Sequence, residues 1–109
     1  MSGAVSDTET VERLNAAIRA ELAALADEDV AGIEAATAAK LAALRAVHAD
    51  VAAGLMPPRA LLEEARDLNA EAALRARAKM ISVEKRLAQV SAQAGRPPAL
   101  TYGRDGRWA

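Results

Sequence analysis

The chain has 109 residues, 52% hydrophobic but only 2% aromatic, with no cysteine and a formal net charge of −1. Thirty of those residues are alanine and none is phenylalanine. A thin core is therefore expected, stabilised mainly by the larger apolar side chains, each contributing roughly 1.5–3 kcal/mol when fully buried. The missing cysteine excludes disulfides, thiolate metal sites and a cysteine nucleophile, and the near-neutral charge lacks the overall basicity usual in nucleic-acid binders.

The neutrality hides an asymmetry. Residues 1–54 carry 9 acids and 4 bases, whereas residues 55–109 carry 6 acids and 10 bases. Packing of one half on the other in antiparallel fashion is favoured by that polarity, although solvated charges are screened beyond about 8 Å at physiological salt. The opening MSGAVSDTET has neither the basic nor the apolar region of a signal peptide, and no apolar run approaches the roughly 20 residues needed to cross a bilayer. A cytoplasmic protein with no membrane insertion is expected.

Alanine-rich stretches with charges every few residues favour helix, and no segment shows the period-two alternation of strands. The prediction is an all-α single domain over 1–109, a three-helix antiparallel open bundle with a long C-terminal helix. The first helix is placed at about 7–26, where Ser6 and Glu9 have the spacing of a capping box and Val11, Leu14, Ile18, Leu22 and Leu25 form one apolar stripe. Asp27-Glu28-Asp29 breaks the pattern, and either aspartate suits the N-cap of a second helix at about 29–53; with no Gly or Pro at the break, a continuous helix over 7–53 stays open. From Val30 the apolar stripe resumes through Ile33, Thr37, Leu41, Leu44, Val47 and Val51.

The sequence Gly54-Leu55-Met56-Pro57-Pro58 predicts a hairpin turn, because glycine suits a helix C-terminus and proline can begin a helix but not continue one. A third helix at about 58–94 follows, with a near-heptad seam of Leu61, Ala65, Leu68, Ala72, Ala76, Met80, Val83, Leu87, Val90 and Ala94. It is longer than the second helix, so its stripe beyond about residue 80 needs the first helix, another subunit or a ligand helix to cover it. Residues 95–109 have no helical period and read as a tail carrying both aromatic residues, Tyr102 and Trp108.

No catalytic constellation, cofactor motif or metal site emerges. His48 is the only histidine, and a lone imidazole reads as a surface or seam-edge residue rather than as a catalyst. The bases Arg75, Arg77, Lys79, Lys85 and Arg86 straddle the third helix and read as a solvated flank of the apolar stripe. Gly95-Arg96-Pro97 lacks the arginine that an AT-hook needs before its glycine, where Ala94 stands. The third-helix seam itself admits two readings, a homodimeric coiled coil or a groove that takes an amphipathic helix of a partner.

In combination, the stretch LLEEARDLNAEAALRARAKM and the tail LTYGRDGRWA resemble the FlgN-type flagellar export chaperones. The features that carry the likeness are the paired leucines after a hairpin, Leu68-Asn69 in mid-helix, the long amphipathic run, and the tyrosine-glycine-x-aspartate-glycine pattern from Tyr102 to Gly106; it extends over roughly residues 8–107. The resemblance implies a non-enzymatic chaperone that holds the C-terminal helical segment of hook-associated proteins and delivers them to the cytoplasmic domain of the export gate. It implies cargo binding along the third helix at Met80, Val83, Leu87, Val90 and Ala94, and gate docking through Tyr102. Trp108 is grouped with Tyr102 as a docking anchor; burial of Trp108 against the helices stays equally open. A weak homodimer also remains open.

Overall fold

The computed structural model of the protein describes the backbone of residues 2–95 and the side chains of residues 8–95. Three helices account for nearly all of it: α1 (Ser2–Asp27), α2 (Val30–Ala52) and α3 (Arg59–Gln93), with no strand among the described residues. The architecture is all-α, as the composition predicts. By internal contacts the chain divides into two compact units between Arg75 and Ala76.

The boundaries follow from backbone chemistry. α1 begins at Ser2, ahead of the predicted start near residue 7, so Ser6 and Glu9 lie inside the helix instead of capping it; nothing upstream of them, such as a proline, stops the helix. α1 ends in a Schellman motif, in which the Glu28 N–H donates to the Leu25 carbonyl at 3.2 Å and the Asp29 N–H to the Ala24 carbonyl at 3.0 Å. The motif requires a left-handed residue, and here a glutamate supplies it: Glu28 has φ 54°. Asp29 then caps α2, its carboxylate accepting from the Gly32 N–H at 3.1 Å. α1 and α2 are thus separate helices, and Asp29 rather than Asp27 is the cap.

α2 ends in the same motif, with Gly54 (φ 91°) donating to the Val51 carbonyl at 3.0 Å and Leu55 to the Asp50 carbonyl at 2.9 Å. Pro57 is buried, and the Pro58 carbonyl accepts from Leu61 and Leu62 to start α3. The predicted hairpin at 54–58 is where the structure turns.

In the first unit α1, α2 and the opening turns of α3 run up, down and up. Polar contacts set the direction. Thr10 near the start of α1 donates to Asp50 near the end of α2 at 2.8 Å, and Lys40 early in α2 reaches back to Glu21 late in α1, also at 2.8 Å. Asn15 donates to the Leu61 carbonyl at 3.3 Å and Arg19 pairs with Glu64, which places α3 alongside α1 in the same direction.

The core is thin, as expected. It consists of Val11, Leu14 and Ile18 from α1, Ala43 and Val47 from α2, and Ala65 and Ala72 from α3, with Leu22, Leu61 and Leu68 packed against it. The α1 and early α3 stripes are those the sequence predicts. The α2 stripe is not. Its buried residues are Ala36, Ala43 and Val47, while Leu41, Leu44 and Val51 are 46%, 38% and 47% exposed. The second unit, described by itself, is the remainder of α3 to Gln93, closed by Gly95 at φ 77°. No described residue from 76 onward is buried.

Candidate partner-binding surfaces

Among the described residues two extended apolar surfaces are exposed, one in each unit. In the second unit Met80, Val83, Leu87 and Val90 are 46%, 44%, 47% and 61% exposed. Their spacing of three, four and three residues keeps them on one face of the helix. Ala94, the last residue of the predicted stripe, is exposed in the closing turn, where its N–H donates to the Val90 carbonyl at 3.0 Å. Ile81, 46% exposed, lies about 100° around the helix from Met80 and widens the apolar surface. Sequence reading passed over it because it falls outside the seam of threes and fours.

In the first unit a groove of about 410 Å³ runs between α2 and α3. Leu41, Leu44, Val47 and Val51 form one wall, Leu62 and Ala65 the other, and Leu14 and Ile18 of α1 lie at its base. This is where the displaced α2 stripe goes. The periodicity of α2 did not show it, because alanines place apolar atoms on nearly every face and leave two candidate core faces about 100° apart. The informative signal is polar: Lys40, on the side of α2 that carries Ala36, Ala43 and Val47, reaches Glu21 of α1, and Thr37, on the displaced stripe, reaches the same carboxylate.

Those two residues belong to a cluster that ties the three helices together. Glu21 is 8% exposed. Its carboxylate accepts from Lys40 Nζ at 2.8 Å and from Thr37 Oγ1 at 3.5 Å, while Lys40 Nζ also donates to Asn69 Oδ1 at 3.1 Å. A buried carboxylate is tolerated only when paired in this way. Asn69, singled out in the sequence for its place beside Leu68, therefore has a bundle-fastening contact. Asn15, 2% exposed, has Oδ1 without a hydrogen-bond partner among the described residues.

His48 is exposed on the rim of the groove, and among the described residues no group of three or more His, Cys, Asp or Glu side chains is placed to hold a metal ion. No helix among the described residues is long and apolar enough to cross a membrane. Tyr102 and Trp108 lie outside the described residues. Comparison with known proteins finds no matching family, no matching curated protein and no matching solved structure.

Proposed function

We propose that this chain is a non-enzymatic export chaperone whose α3 captures an amphipathic helix of its cargo. The observation that carries the reading is the Met80–Val83–Leu87–Val90 stripe, half-exposed on a stretch of helix with no buried residue. A stripe of that period is an unfinished interface: apolar area of this kind is stabilised when a second helix covers it. The resemblance to FlgN-type chaperones supplies the cargo, the C-terminal helical segments of flagellar hook-associated proteins. Covering those segments keeps the cargo from assembling before export, and Tyr102 with Trp108 then docks the loaded complex on the cytoplasmic domain of the export gate.

The test is a calorimetric titration of the full chain with C-terminal segments of hook-associated proteins. Saturable binding that is lost in Val83→Asp/Leu87→Asp supports the reading; no binding to any of them overturns the cargo assignment. A self-associating coiled-coil scaffold with no export role is the competing outcome, recognised as a dimer whose mass in solution is independent of concentration and which binds no cargo segment.

A further inference from the structure

We propose that the α2/α3 groove of the first unit is a second docking site, which takes one amphipathic helix of a partner protein whose apolar face is edged by acidic residues. The groove goes beyond the α3 stripe and stands without it. From Leu41 to Val51 its α2 wall extends about 15 Å, enough for roughly three turns of a partner helix. Its leucines are not incidental surface residues, since α2 turns alanines inward and presents Leu41, Leu44 and Val51 to the groove at 38–47% exposure.

Charge selects the occupant. Lys40 and His48 on one wall and Arg66 on the other line the groove, and no carboxylate does. Lys40 is held by Glu21 and Asn69. Among the described residues Arg66 pairs only with its neighbour Asp67, at 3.4 Å with both side chains about three-quarters exposed, a contact too weak to compete with a partner's carboxylate. A helix bearing glutamate or aspartate beside its apolar face meets the Arg66 guanidinium on the α3 wall and no carboxylate in the lining, while a lysine-edged helix is repelled by Arg66.

The same argument excludes a second copy of the chain. The other extended apolar surface among the described residues is the α3 stripe, and residues 76–93 carry four bases, Arg77, Lys79, Lys85 and Arg86, against the single acid Glu84. Stripe against groove brings those bases toward Arg66, and groove against groove opposes two concave surfaces with an Arg66 in each.

The experiment titrates the full chain, and the Val83→Asp/Leu87→Asp chain, with two synthetic amphipathic peptides of about 18 residues. They share one leucine face, edged with glutamate in one and lysine in the other. The glutamate peptide is expected to bind at least about tenfold tighter than its twin, with the preference shrinking as salt rises. It should bind the Val83→Asp/Leu87→Asp chain as well as it binds the parent, which separates this site from the stripe. Leu41→Asp should weaken binding at least about tenfold, Leu44→Ala should weaken it without adding charge, and Arg66→Glu should erase the preference for the glutamate peptide. Circular dichroism checks the fold of each variant. Equal binding of the two peptides, binding by neither, or binding unmoved by both Leu41→Asp and Leu44→Ala overturns the proposal. So does a dimer that Leu41→Asp dissociates, which places a second copy in the groove.

Discussion

Replacing Val83 and Leu87 together by aspartate separates binding from folding. The two side chains are 44% and 47% exposed. Full burial of such side chains contributes roughly 1.5–3 kcal/mol, so the part still open to a partner is worth about 0.7–1.4 kcal/mol each, or about 1.4–2.8 kcal/mol for the pair. The double variant should therefore weaken cargo binding by about tenfold to a hundredfold, and desolvation of the new carboxylates adds to the loss. Folding should change by less than about 1 kcal/mol, because neither residue is buried and aspartate costs only a few tenths of a kcal/mol each in helix propensity. Calorimetry reads the affinity, and urea unfolding followed by circular dichroism reads the stability. Unchanged affinity refutes the stripe as the binding surface. A loss of stability well above 1 kcal/mol refutes the exposed stripe itself, because the residues would then belong to the fold.

Three further substitutions test the scaffold and the delivery step. Gly54→Ala forces a side chain to φ 91° with nothing within 4 Å of the new Cβ, so the cost is purely conformational, about 1 kcal/mol by urea unfolding. Lys40→Ala leaves the Glu21 carboxylate without its cation and should lower stability by about 1–3 kcal/mol; an unchanged midpoint would mean the carboxylate is already satisfied by solvent. Tyr102→Ala should leave cargo affinity near that of the parent and reduce secretion of the cargo in cells, and normal secretion would remove Tyr102 from the docking role.

The sequence was most legible where a residue type admits one conformation. Gly54 with Pro57 and Pro58 marks the hairpin, and the α1 stripe, whose large apolar residues from 11 to 27 are only Val11, Leu14, Ile18, Leu22 and Leu25, marks its core face without competition. Two kinds of information were hidden. The α1/α2 break is a left-handed turn made by Glu28 rather than by glycine, so only the acidic run Asp27-Glu28-Asp29 marked it and a continuous helix stayed open. The rotation of α2 was masked by alanine, which fits a core or a surface equally well. Of the candidate site, the α3 stripe could be read from its period, whereas the α2/α3 groove needed three dimensions, since its walls come from segments some twenty residues apart.

That rotation explains why a protein with so thin a core leaves leucines uncovered. Turning α2 by about 100° would bring Leu44 to the place of Ala43. The gain would be the remaining burial of a few half-exposed side chains, on the order of 1 kcal/mol each. The same turn would swing the Lys40 ammonium out of its contacts with Glu21 and Asn69 and leave the Glu21 carboxylate, 8% exposed, without its cation, at a cost of about 1–3 kcal/mol. Close approach of α1 and α2 is also easiest along small residues, and Ala17, Ala24, Ala36 and Ala43 are all buried. The Glu21–Lys40 pair, together with this alanine contact, favours the observed rotation. It holds the alanines of α2 against α1 and, by the same geometry, holds Leu41, Leu44 and Val51 in the wall of the groove, where an incoming helix can cover them.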